Sequence, residues 1–120
     1  MATVAKIKLG ASTDGLGILV DDDGTPGKLI HTGSSVNTTY DEIWIYAANY
    51  DTTDRLLTIE WGAATAGTKI VSTIEAQAGL VLVVPGLVIR GNSSTALLVH
   101  AFAATTTAIQ LFGYVNQITA

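Results

Sequence analysis

The sequence predicts an all-β fold: an antiparallel β-sandwich, jelly-roll-like, with an immunoglobulin-like sandwich as the alternative. Three observations lead there. Apolar and polar residues alternate with period two in several stretches. Turn residues recur at intervals of about eight to twelve residues, the spacing of a sandwich or barrel. The most apolar stretch, Ala78 to Ala104, is cut by Pro85-Gly86 and by Gly91-Asn92-Ser93-Ser94. No helix runs through such breaks, whereas three short strands joined by tight turns do.

The elements follow in order. Strands are expected at 3–9, 16–20, 27–31, 41–49, 55–61, 68–75, 79–84, 87–90, 95–103 and 108–117. The segment 1–16 carries Lys6 and Lys8 and leads into the loop Gly10 to Gly15. It reads as an N-terminal arm or edge strand, ahead of a single sandwich domain over 17–120. Strands 16–20 and 27–31 flank the turn Asp22-Asp23-Gly24-Thr25-Pro26-Gly27. In 41–49, Ile43, Ile45 and Ala47 alternate with Trp44, Tyr46 and Ala48, so one set faces a core. In 55–61, Leu57, Ile59 and Trp61 alternate with Thr58 and Glu60. In 68–75, Ile70, Ser72 and Ile74 alternate with Val71 and Thr73. The Ala-rich window Ala63–Ala66, inside a turn read from Gly62 to Gly67, is too short for a helix. In 108–117, Ile109, Leu111, Gly113 and Val115 alternate with Gln110, Phe112, Tyr114 and Asn116. Between the strands, Asp, Asn and Ser bond to local backbone, and Gly supplies positive φ. This many short strands in one chain suit two packed antiparallel sheets.

Composition narrows the function. With 120 residues the chain makes one domain with a useful core, and with no cysteine it has neither disulfides nor thiolate metal sites. Only 13% of residues are charged and 48% are apolar, so part of the surface is expected to be covered by another subunit. The net charge is −4 and the six basic residues are scattered along the sequence, which argues against nucleic-acid binding. The longest apolar run is about twelve residues and contains Pro85, short of the roughly 20 that span a bilayer. No apolar signal-peptide core precedes Leu9, and no membrane partner is expected. These features predict a soluble protein made in a reducing cytoplasm. The sequons at Asn37 and Asn92 are then chance matches.

No motif carries enzyme chemistry. Gly10-Ala11-Ser12-Thr13-Asp14-Gly15 has phosphate-loop glycine spacing, but Leu16 and Gly17 stand where Lys and Ser/Thr are required. Asp21-Asp22-Asp23-Gly24 invites a calcium reading. Aligned on Gly24, however, Leu19 and Ile30 fall at the first and twelfth ligand positions, so an acidic hairpin tip is the better reading. Asp41 and Glu42 point to opposite faces of a strand, while Glu60 and Glu75 are a candidate cross-strand pair. His31, before a Thr-Gly-Ser turn, is expected to be exposed. There is no GxSxG elbow and no HExxH spacing. The expectation is no catalytic residue, no metal and no cofactor.

The candidate partner-binding residues are Val4, Lys6 and Lys8 in the N-terminal segment, Trp44 and Tyr46 on one strand face, and His100 between Val99 and Ala101. Trp44 and Tyr46 suit either a sugar-stacking platform or, more readily, a core or subunit interface.

Several segments in order then resemble a known group: Asp41 to Asn49, Leu57 to Gly62, Ile74 to Leu80, Pro85-Gly86-Leu87, Val99 to Ala104, and Phe112 to Asn116. Over residues 40–118 the chain is similar to head decoration (cement) proteins of tailed bacteriophages. The resemblance implies a non-enzymatic β-sandwich subunit, often a homotrimer, that binds the major capsid protein on the outside of the virion. It would be assembled in the host cytoplasm and would stabilise the shell. It carries over no catalytic residue. An N-terminal arm adding a strand to a capsid-protein sheet edge is a further expectation. Deleting residues 1–15 is then expected to abolish capsid binding and spare folding. The alternatives are a tail or fibre-tip module binding host glycans through exposed aromatics such as Trp44, and a minor subunit of a non-viral shell or filament.

Overall fold

A computed structural model describes residues 2–63 and 68–120. Residues 64–67, within the expected Gly62–Gly67 turn, lie outside the described residues. Among the described residues the chain forms β1 (Thr3–Lys8), β2 (Ile18–Leu19), β3 (Lys28–Thr32), β4 (Thr39–Asn49), β5 (Arg55–Gly62), β6 (Lys69–Ile74), β7 (Val81–Arg90), β8 (Leu98–Ala103) and β9 (Ile109–Thr119).

The strands make two antiparallel sheets. One has the order β1-β9-β4-β7, with β2 pairing the same edge of β9 beyond β1. The other has the order β3-β8-β5-β6. Apart from the β5–β6 hairpin, successive strands from β2 onward alternate between sheets, which is jelly-roll winding.

The period-two alternation decides which side chains fill the sandwich. β4 buries Thr39, Asp41, Ile43, Ile45, Ala47 and Asn49 and leaves the intervening residues half-buried on the outside. Ile43, Ile45, Val84, Ile89, Leu111 and Val115 from one sheet meet Ile30, Leu57, Ile59, Ile74 and Val99 from the other. Each such side chain contributes about 1.5–3 kcal/mol on burial. With no cysteine present, this packing and the strand ladders hold the domain.

Several local expectations change. The stretch Ala78 to Ala104 forms two strands rather than three, because β7 runs on through Pro85-Gly86. Register shifts against β4 on either side of this point absorb the break. β7 is an edge strand, the part of a sheet that accommodates a proline. Gly86 takes φ 75°, which a glycine adopts without strain. The strand expected at 16–20 shrinks to Ile18–Leu19.

The N-terminal segment is an edge strand, with β1 paired to β9 from Thr3↔Thr119 to Lys8↔Tyr114. It is also built into the domain. Leu9 is in the core at 1% exposure, Ser12 is buried, and the Ala11 N–H bonds Ile30 O at 3.0 Å. Deleting residues 1–15 would therefore remove core and uncover an edge of β9, against the expectation that it spares folding.

His31 is buried at 3% exposure rather than exposed. The cause is a register shift in β3 between Leu29 and His31, after which Ile30 and His31 are both buried. The His31 Nε2–H reaches Asp41 Oδ2 on β4 at 2.8 Å, and the Gln117 amide donates to Asp41 Oδ1 at 3.0 Å.

On the outside of the four-stranded sheet, the segment between β2 and β3 folds back across β8. The Ala103 N–H bonds Asp22 O at 3.0 Å. Glu60 is fully buried beneath the segment, accepting from the Gly27 N–H at 2.7 Å and from the Thr25 hydroxyl.

Candidate functional site

The outward residues of the five-stranded sheet fall into rows fixed by strand register. Val4, Ile118, Tyr40 and Arg90 form one row, and Lys6, Asn116, Glu42 and Val88 the next. Lys8, Tyr114, Trp44 and Pro85 form the third, then Phe112, Tyr46 and Leu82. Directly opposed side chains on one face touch, so each row is a contact unit. The result is an aromatic strip along β4 and β9 bordered by exposed Val4, Leu82 and Val88.

The centre of the strip is tightly fitted. The rings of Trp44 and Tyr114 lie 6.1 Å apart and 13° from parallel. The Lys6 ammonium sits 4.6 Å from the Tyr114 ring centre, a cation–π contact. The Trp44 indole N–H donates to Glu42 Oε1 at 2.8 Å, and the Asn116 amide donates to the same oxygen at 3.0 Å. These two bonds, that from Asn116 foremost, hold the Glu42 carboxyl below its ordinary pKa, although partial burial works the other way. Glycine at 113 lets β9 lie close to β4, since a Cβ there would stand 2.0 Å from Trp44 O. A Cβ on Gly86 would come within 2.8 Å of the Trp44 benzo ring.

Five of the six candidate partner-binding residues, Val4, Lys6, Lys8, Trp44 and Tyr46, thus share this one face. His100 does not. It stands on the outer face of the other sheet, opposite Leu29 and Glu60, and among the described residues its Nδ1 is buried without a partner. Sequence reasoning passed over Glu42, Tyr114, Asn116 and Arg90 as members of the site. The period-two phase of Phe112, Tyr114 and Asn116 held part of that signal, but the pairing of β9 with β4 did not show in it.

The electrostatics of the face differ from those of the chain. Lys6, Lys8 and Arg90 lie on it, and its one carboxylate, Glu42, is internally bonded. The other three cations face nine carboxylates over the rest of the molecule.

Among the described residues, His31, Glu60 and Glu75 are not gathered into one site. Both ring nitrogens of His31 are engaged, Nδ1 accepting from the Gly10 N–H at 2.9 Å. Glu60 stands opposite Lys69, while Glu75 lies past the far end of β6, so those two carboxylates do not pair. Surface hollows of about 520, 380 and 330 Å³ lie beside Trp61 and Leu97, beside Tyr50 and Gln77, and beside Ile70 and Leu87. None of the three is lined by a carboxylate or an imidazole. Among the described residues no three His, Cys, Asp or Glu side chains are grouped to hold a metal ion, and no helix is long and apolar enough to cross a membrane.

Comparison of the chain with family models, with curated proteins and with solved structures found no match.

Proposed function

We propose that this chain is a non-enzymatic virion structural protein that binds the outer surface of a phage capsid as a homotrimer and stabilises it. The observation that carries this reading is the gathering of Val4, Lys6, Lys8, Trp44 and Tyr46 on one sheet face. Protein-docking surfaces are built in this manner, with aromatic anchors at the centre and charged groups at the rim. The capsid as partner rests on the resemblance over residues 40–118, and the sparse charge of the chain suits a subunit covered on several sides. The jelly roll by itself does not choose, because capsid and lectin domains both use it.

The same geometry weighs against the glycan reading. A sugar stacks on an open ring face, but Tyr114 stacks beside Trp44, Gly86 abuts its benzo ring, and its N–H is spent on Glu42.

Quantitative mass spectrometry of purified particles tests the proposal. A copy number in the hundreds per virion supports decoration. A handful of copies assigns the chain to the tail, and absence from particles overturns the reading.

A further inference from the structure

We propose that this protein assembles head to tail with copies of itself, the basic face of the five-stranded sheet taking up the acidic β2–β3 segment of the next copy.

The two surfaces are opposite in charge and too far apart to meet within one chain. Lys6 stands opposite Asn116 on β9, whereas the Val20 N–H, just before the acidic segment, bonds Ile109 O on the same strand. The intervening residues of β9 separate Lys6 from that point by about 23 Å, and Lys8, opposite Tyr114, by about 17 Å, at roughly 3.3 Å per residue. At physiological ionic strength both distances exceed the screening length of about 8 Å, so the charges do not satisfy each other intramolecularly.

The acidic segment is presented for contact. Asp21 makes an ion pair with Lys28 at 3.6 Å, but the Asp22 and Asp23 carboxylates make no bond among the described residues. The backbone beneath them is tied down through Asp22 O to Ala103, and through Thr25 and Gly27 to the buried Glu60. A segment already held in place loses little entropy on docking. Exposed Pro26 and Leu29 beside it can meet Val4 and Val88 on the face.

A two-fold contact of the basic face with itself would set Lys6, Lys8 and Arg90 of both copies together, and like charges oppose that. A contact between two different patches is heterologous and closes into a ring when its rotation permits. The head-to-tail contact rests on the homotrimer of the proposed function and gives the face to the next copy, leaving the capsid to another surface. A monomer in solution overturns it, whereas absence from particles overturns the capsid reading alone.

Light scattering of the full chain at low and high salt is the test. The expected mass at low salt is a whole multiple, three or more, of 12.5 kDa. Added salt lowers the association. The pairs Lys6→Glu with Lys8→Glu, and Asp22→Lys with Asp23→Lys, each weaken it by about tenfold or more. All four changes in one chain restore it, because face and segment have exchanged sign. Circular dichroism melting confirms that each variant is folded. Should a reversal unfold the chain, Lys→Gln and Asp→Asn at the same positions carry the test. A monomer, a dimer, association indifferent to either pair, or a folded four-fold variant that stays dissociated overturns the proposal.

Discussion

His31 on β3 and Asp41 on β4 are joined across the interior, between the two sheets, by an Nε2–H···Oδ2 bond of 2.8 Å. Because Nδ1 accepts from the Gly10 N–H, the ring proton resides on Nε2, and the tautomer is fixed by its partners. Gln117 on β9 donates to the other carboxylate oxygen. One buried cluster therefore ties the β1–β2 connection, β3, β4 and β9 together. Removing one member leaves the rest buried and unpaired, which costs more than removing both. Asp41→Ala should lower stability by about 3 kcal/mol in urea unfolding. The double change His31→Leu with Asp41→Leu should cost less than the sum of its two single changes. Strict additivity would mean that the pair is not coupled.

Two surface carboxylates make stability depend on acid. Glu42 is lowered by its bonds from Asn116 and then Trp44. Asp51 is lowered chiefly by Arg55, whose guanidinium donates at 2.6 and 3.0 Å, and then by the Thr52 backbone N–H. A carboxylate whose folded pKa is depressed contributes stability above its unfolded pKa, about 4.3 for Glu and 3.9 for Asp. That contribution disappears as pH falls through the folded value. The urea midpoint should therefore drop on acidification below about pH 4.3. Glu42→Gln should shallow the drop, and the Trp44 indole N–H resonance should move over the same pH range in the wild type. An equally steep drop in Glu42→Gln would remove Glu42 from the account.

Which parts of this were readable in the sequence follows from how local their causes are. The alternation in 41–49, 55–61 and 108–117 is a property of neighbouring residues, and β4, β5 and β9 lie where it points. The burial of His31 depends on a one-residue register shift in β3, and the continuity of β7 through Pro85-Gly86 depends on its place at a sheet edge. Neither cause is local. The candidate face was half legible for the same reason. Trp44 and Tyr46 share a strand, but only strand pairing brings Lys6, Asn116 and Tyr114 beside them.

Gly113 controls whether that pairing forms. A Cβ there would lie 2.0 Å from Trp44 O and 3.1 Å from Ile45 Cα, both backbone atoms that cannot step aside. Gly113→Ala should push β9 off β4 and destabilise by several kcal/mol, on the order of an overpacked core. Gly24, in the acidic segment, has open space around its Cβ position. Gly24→Ala should leave the melting temperature within a few degrees of the wild type. Equal melting temperatures for the two variants would contradict the close approach at Gly113.

Glu60 anchors the acidic segment, and removing it should loosen that segment while the sandwich stays intact. Its two carboxylate oxygens are the acceptors for the Gly27 N–H and the Thr25 hydroxyl, and all lie under the fold-back over β8. Glu60→Ala leaves the Gly27 N–H without its acceptor, at a cost of about 1–3 kcal/mol. Because the lost bonds are local, the opening should be local as well. Hydrogen exchange should show the Gly27 amide losing protection by about tenfold or more, with Ile43 and Val115 in the core nearly unchanged. Glu60→Gln keeps one carbonyl acceptor and should fall between wild type and Glu60→Ala. If the segment's anchoring is what prepares it for a neighbouring copy, Glu60→Ala should also weaken self-association although no charge on either contact surface has changed. Loss of protection spread evenly over all strands would instead identify Glu60 as a global stabiliser with no special hold on the segment.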